Sequence, residues 1–412
     1  MKEKDKLGNV PGLSSVMELL RRLGNPEKKL PAIHIAGTNG KGSIMAYIEQ
    51  TLIEAGLKVG RYVSPTISHY RERFTINKEM ISKDDCAALL SEVFLEVDKM
   101  DPSPTSFEIE TAAAFLWFVR SDCDIMLIEC GMGGRLDATN VIDNAVMDIL
   151  AAVSLDHMQF LGDTVGAITK EKLGIVRPEG CLVSYPQKEE ARLVIDSDSE
   201  ERGYSVTYAD ESSLEVISSD ITGSVFRYKG NEYSISLAGL YQIKNAITAI
   251  EALECYRRRR TFFGLPDIGM EHIRRGLANT GWSGRFTVVS REPLFIVDGA
   301  HNEDAWLRLA ESLKKYFTNT KLIFIMGVLR DKEYMKMIDI LRPYISSVFT
   351  VTSDSPRALD GRVLRDLLEE SGISATYAET VQEACDRALE SGGPVLACGS
   401  LSFIGEILNR KG

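Results

Sequence analysis

The segment from residue 31 to residue 55 constrains this chain more than any other. An apolar run at 31–36 meets the loop Gly37-Thr38-Asn39-Gly40-Lys41-Gly42-Ser43, and a stretch with Ile44, Ile48 and Leu52 four apart follows. The run reads as a buried strand, and the spacing marks one face of a helix over 43–55. A strand passing through a glycine-rich loop into a helix is one crossover of an α/β sheet. Glycines let the backbone take positive φ and approach a ligand closely. The N–H groups of such a loop, with the helix N-terminus behind them, wrap phosphates. Lys41 adds a mobile cation for β- and γ-phosphates, and Ser43 a hydroxyl within reach of Mg²⁺. The spacing departs from G-x-x-x-x-G-K-[ST]: Ile35 stands at the first glycine position, and Gly42 separates Lys41 from Ser43.

The alternation continues along the chain. Strands are expected at 59–63, 124–129 and 149–154, the latter two ending in polar residues that carry chemistry. Residues 213–237, with Gly223 and Gly230, read as antiparallel strands, and 241–256 as a helix. A helix at 273–278 and a turn-rich break at 279–284 precede a second series, with strands at 294–297, 322–326, 348–352 and 395–397. The fold class is therefore α/β. A P-loop-type ATPase domain with a mostly parallel sheet is expected over 1–284, and a smaller Rossmann-like α/β domain over 285–412. A length of 412 residues suits two or three domains.

Net charge is −11, so a surface tracking nucleic-acid phosphates is not expected. The seven cysteines, at 86, 123, 130, 181, 255, 385 and 398, include no C-x-x-C pair and read as reduced, mostly buried thiols. Residues 1–10 have no apolar h-region, and the apolar stretch 145–155 is short and interrupted by Asp148. A cytoplasmic monomer without a membrane span is the expectation. The run Arg257 to Arg260 reads as charge at a helix C-terminus.

Mg²⁺ seeks oxygen ligands and keeps several waters. Three segments offer ligands near strand ends: Glu129 before the turn 131–135, His157 in Ser154-Leu155-Asp156-His157, and Lys172 on the next helix. Taken singly, each has an ordinary reading: Glu129 paired with Arg135, His157 a satisfied core histidine, Lys172 a solvated helix lysine.

Residues 34–43, HIAGTNGKGS, resemble the ATP loop of the folylpolyglutamate synthase/dihydrofolate synthase branch of the Mur ligase family. The likeness runs from about residue 10 to about residue 405. Residues 128–140, IECGMGGRLDATN, resemble the family's Glu-containing metal segment. Residues 154–162, SLDHMQFLG, resemble the segment whose histidine binds a second metal, and 168–178, ITKEKLGIVRP, the one whose lysine is carried as a carbamate. The resemblance thus implies metal-binding roles for Ser43, Ser64, Glu129, His157 and Lys172, with Lys41, His157 and Lys172 in catalysis and Lys170 a solvated neighbour.

Ser64-Pro65 and residues 70–77, YRERFTIN, resemble the family's substrate loop, with Thr66 where His is usual and Lys78 where Gly is usual. Pro65 and Arg73 are the implied substrate contacts, with Phe107 of SFEIETA (106–112) lining a folate pocket. Residues 240–246, LYQIKNA, imply that Gln242 and Asn245 lie near ATP. Residues 282–286, WSGRF, offer Arg285 to phosphate. Residues 297–302, VDGAHN, offer Asp298 to ribose and His301 to phosphates. The implied reaction phosphorylates a carboxylate of a folate or dihydropteroate with ATP, and the amine of L-glutamate attacks the acyl phosphate, assisted by Mg²⁺, two ions by resemblance. A different Mur-type ligase, or a nucleotide switch that hydrolyses ATP or GTP without ligation, is the alternative.

Overall fold

The structure, a computed structural model, describes residues 12–409; the reading of residues 1–10 lies outside them. Strands β1 (Ala32–Ala36), β2 (Val59–Tyr62), β3 (Phe74–Ile76), β4 (Glu79–Met80), β5 (Ile125–Glu129), β6 (Ala145–Leu150), β7 (Cys181–Ser184) and β8 (Ser205–Tyr208) form one sheet in the order β4-β3-β2-β5-β1-β6-β7-β8. Pairing is parallel from β2 to β8, and β3 and β4 add antiparallel to one edge. Strands β1 and β5 are buried throughout, as helices on both faces of a parallel sheet require.

Helix Lys41–Glu54 follows β1, and it is buried nearly all round rather than on one face. The sheet covers one side, and helices Tyr241–Arg259 and Met270–Ala278 cover the other. A Cβ at Gly276 would collide with Thr51, so that glycine allows the close crossing. Strands β9 (Leu214–Asp220), β10 (Gly223–Tyr228) and β11 (Asn231–Ile235) make the antiparallel sheet that the glycine-punctuated alternation predicts.

Strands β12 (Thr287–Arg291), β13 (Leu294–Asp298), β14 (Leu322–Met326), β15 (Ile345–Thr350), β16 (Ala375–Tyr377) and β17 (Val395–Cys398) form the second α/β unit, ordered β12-β13-β17-β14-β15-β16. All its pairs are parallel except β12–β13.

Two expected strands are displaced. The one read at 149–154 is β6, ending at Leu150, because the next residues leave the sheet to hold the glycine loop: Ala152 O accepts from Thr38 N and Asn39 N. The one read at 348–352 begins earlier, at Ile345, where Leu322 of β14 pairs with it. All seven cysteines are free and buried, as the sequence suggests.

Candidate active site

The carboxyl ends of both sheets open on one cavity of about 770 Å³. From the first sheet come the loop after β1, the turn after β5 and the segment after β6. From the second come Asp298 ending β13, the 329–332 loop after β14, residues 354–357 after β15 and Ser400 after β17. Ligands of open α/β sheets bind at such ends.

The glycine loop is shaped by what closes on it. Gly40 has φ 90° as the residue before helix Lys41–Glu54, and a Cβ there would lie 2.6 Å from Asn245 Oδ1. A Cβ at Gly42 would lie 2.6 Å from the Trp282 ring. Gln242 Nε2 donates to Ser43 Oγ at 3.2 Å, and Asn245 Nδ2 donates to Gln242 Oε1 at 2.9 Å. The positions of Gln242 and Asn245 in one helical turn thus support the loop from behind.

Lys41 Nζ donates to Gly37 O at 3.1 Å and lies 3.6 Å from Glu129 Oε1. Lys172, buried at 4% exposure, donates to the same carbonyl at 2.9 Å. Burial, and then the charge of Lys41, pull the Lys172 ammonium down to about 7. Burial raises the Glu129 carboxyl, against the opposing charges of Lys41 and Arg285. His157 is exposed, with φ 52°, immediately before the short helix Met158–Leu161. Lys170 is exposed two residues before Lys172.

The second unit reaches across to the loop. Asn302 caps helix Glu303–Tyr316 by accepting from Ala305 N, while its Nδ2 donates to Asn39 Oδ1 at 3.2 Å and Asp156 Oδ2 at 3.1 Å. Asn39 Nδ2 donates to Asn302 Oδ1 and to Asp304 Oδ2. Lys332 pairs with Asp156 at 2.8 Å. Although burial opposes ionisation, that lysine's hydrogen bond and charge hold the Asp156 carboxyl well below its usual range. His301 Nδ1 donates to Gly299 O at 2.7 Å, and burial pulls the ring down to about 4, so it stays neutral with Nε2 as an acceptor.

The Mur ligase middle-domain model matches residues 35–253, and the Mur ligase glutamate ligase domain model matches residues 284–401. The dihydrofolate synthase/folylpolyglutamate synthase of Bacillus subtilis is 34% identical over 98% of this chain and 96% of its own length. The chain belongs to the folylpolyglutamate synthase/dihydrofolate synthase branch of the Mur ligase family. The corresponding protein of Escherichia coli is 30% identical over 96% of this chain and 90% of its own. A Mycobacterium tuberculosis folylpolyglutamate synthase complexed with ADP superposes with TM-score 0.89 at 30% identity, covering 100% of this chain and 97% of that one. An FPGS–AMPPCP–folate complex gives 0.82 at 30% identity, covering 96% and 94%.

In this ligase the cavity wall includes residues 37–43, Ser64, Pro65, Glu129, His157, Lys172, Asn245, Arg285, Asp298 and His301. Three other sequence candidates lie elsewhere. Gln242 is fully buried behind Ser43. Arg73 pairs with Glu110 at 2.8 Å beside the Tyr70 ring. Phe107 packs on Tyr62 and on the backbone of Gly131. Asp298 lines the cavity, yet its oxygens already accept from Tyr241 Oη, Phe286 N and Ala300 N, which braces the turns around it.

Sequence reasoning missed Lys332, Asp156 and Asn302 as a cluster. A basic residue just beyond an apolar strand, as in Met326-Gly327-Val328-Leu329-Arg330-Asp331-Lys332, is the signal that was there to find.

Proposed function

We propose that this ligase joins the amine of L-glutamate to a folate-type carboxylate, with ATP converted to ADP and phosphate. The observation that carries the reading is the convergence of Lys41, Lys172 and Arg285 on one cavity shared by both α/β units. It goes with family membership and with relatives named for both dihydrofolate and folylpolyglutamate synthesis. Domains over 1–284 and 285–412 fit the first strand of the second sheet at Thr287.

The loop amides and Lys41 hold the triphosphate, and Arg285 approaches from the second unit. An acceptor carboxylate oxygen attacks the γ-phosphorus and ADP leaves, giving an acyl phosphate. The glutamate amine then attacks the acyl carbon, phosphate leaves with its P–O bond intact, and the amine loses a proton. A bare carboxylate is a poor acyl donor, so phosphorylation supplies the leaving group. Holding both partners in one cavity contributes up to about 7–11 kcal/mol of proximity.

Among the described residues no group of three or more His, Cys, Asp and Glu side chains is placed to hold a metal ion. The donors present, Ser43 Oγ and the buried Glu129 carboxylate, with Ser64 and His157 on the same wall, fit Mg²⁺ completed by phosphate oxygens and water. Such Mg²⁺ would neutralise charge on the transferring phosphoryl group. Lys172 as an ammonium does not suit a cation site; as a carbamate it would present two oxygens. Its burial favours the neutral amine that reacts with CO₂.

The proposed setting is a cytoplasmic monomer acting on small molecules; among the described residues no helix is long and apolar enough to cross a membrane. The test incubates purified enzyme with ATP, glutamate and either dihydropteroate or tetrahydrofolate, read by mass spectrometry. A glutamyl product from at least one acceptor is expected. ATP hydrolysis independent of both acceptor and glutamate would favour the switch alternative.

A further inference from the structure

We infer that Asn140 is a positioning residue that sets where Lys172 stands relative to Glu129. The inference rests on the proposal that those two side chains belong to the reaction machinery. Lys172 sits near the end of helix Val165–Leu173, and Glu129 ends β5; residues 130–140 connect β5 to the surface on which that helix lies.

The join between turn and helix is backbone against backbone. A Cβ on Gly134 would lie 2.6 Å from Lys172 O, and one on Gly174 would lie 2.5 Å from Arg135 Cα, so each glycine receives the other's segment. Arg135 N donates to Glu171 O at 2.9 Å. Asn140 is 5% exposed and uses its whole carboxamide on this seam. Its Nδ2 donates to Arg135 O at 3.0 Å and to Gly174 O at 3.0 Å, one carbonyl on each side. Its Oδ1 accepts from Arg177 Nη1 at 2.8 Å. The same connection is held from within by Asp137, which accepts from Met132 N at 2.8 Å and from Thr139 N and Oγ1.

No hydrogen bond of Asn140 reaches the glycine loop or the cavity. Its effect on the reaction therefore runs through the seam: without the two Nδ2 bonds, the helix end carrying Lys172 keeps the Arg135 N–Glu171 O bond but loses the tie from Gly174 to the turn that follows Glu129, and it shifts against that turn. A displacement of about 1 Å at a reacting group costs on the order of 100-fold in rate. Nucleotide binding, which rests on the loop after β1, is left in place.

The variant is Asn140→Asp, which keeps an acceptor for Arg177 and removes both donors. Expected are a kcat lower by about 100-fold, a KM for ATP within about twofold of the unaltered enzyme, and an unchanged calorimetric affinity for ADP. Loss of general stability alone would weaken ADP binding together with kcat. A kcat within about twofold of the unaltered enzyme, or a loss of kcat matched by loss of ADP affinity, overturns the inference. Asn140→Ser, without the added charge, is measured in parallel and is expected to show the same split. If both variants fail to fold, Asn140 is a residue of the fold only, and the inference is overturned. A failure of the unaltered enzyme to ligate, or full activity in Lys172→Ala, would instead strike the proposed function.

Discussion

Lys41 and Lys172 point their ammonium groups at the same carbonyl oxygen, that of Gly37, at 3.1 and 2.9 Å. Two cations brought to one neutral acceptor repel each other. A pair arranged in this way is suited to an anion, or to a lysine that gives up its charge.

Lys41→Ala is expected to lower kcat by about 100- to 1,000-fold, the scale of losing a charge that acts on a transferring phosphoryl group. The melting temperature should change little, since relief of the repulsion with Lys172 offsets loss of the bonds to Gly37 O and Thr38 O and of the ion pair with Glu129. Near-normal turnover would exclude Lys41 from the phosphate site.

Lys172→Ala should be nearly inactive, with part of the rate restored by a short carboxylic acid such as acetate. Lys170→Ala should be mild, because that side chain is exposed. Carbon-13 bicarbonate NMR should show a carbamate signal that disappears in Lys172→Ala. A signal that survives the substitution would assign the carbamate elsewhere.

Contacts between the two units converge on the glycine loop through Asn39–Asn302 and Asp156–Lys332. Arg285→Ala is expected to lower kcat or raise the KM for ATP about tenfold, without large destabilisation. Small-angle scattering should show compaction with an ATP analogue plus acceptor. Identical profiles with and without ligands, or a silent Arg285 variant, would contradict the expectation that catalysis requires the two units to close on their ligands.

The buried pair Asp148 and His34 gives a pH signature of stability. Burial raises Asp148 from 3.8 to about 8, with Arg177 opposing and Cys181 adding, and burial lowers His34 from 6.5 to about 3. Between pH 3.8 and 6.5 the folded state holds the extra proton on Asp148 and the unfolded state holds one on histidine, so the two slopes cancel. From pH 6.5 to 8 the contribution of this pair comes from Asp148 alone and falls as pH rises, by about 1.4 kcal/mol per pH unit at most, while above pH 7 the lowered Lys172 contributes a slope of the opposite sign. Denaturant titrations of Asp148→Asn should lose the falling component, so that the slope against pH in that window is more positive than in the unaltered enzyme; an unchanged slope would refute the assignment.

The strand–loop–helix at 32–54 and the carboxylate end of β5 were legible in the sequence because their function is local: glycines, lysine and serine sit within one short segment. Lys172 was legible only through resemblance, since no periodicity distinguishes it from the exposed Lys170. Arg73 and Phe107 were placed by motif, and tertiary packing turns them toward Glu110, Tyr62 and Gly131. Lys332 and Asp156 are 176 residues apart and meet only because two sheets direct their strand ends at one cavity. No window of sequence contains that relationship.

The acyl phosphate is the centre of the account, and oxygen-18 reports on it directly. With both oxygens of the acceptor carboxylate labelled, turnover with ATP and glutamate should release inorganic phosphate carrying one oxygen-18 per amide formed, read by mass spectrometry or by the phosphorus-31 isotope shift. Phosphate free of label, formed alongside the amide, would contradict it.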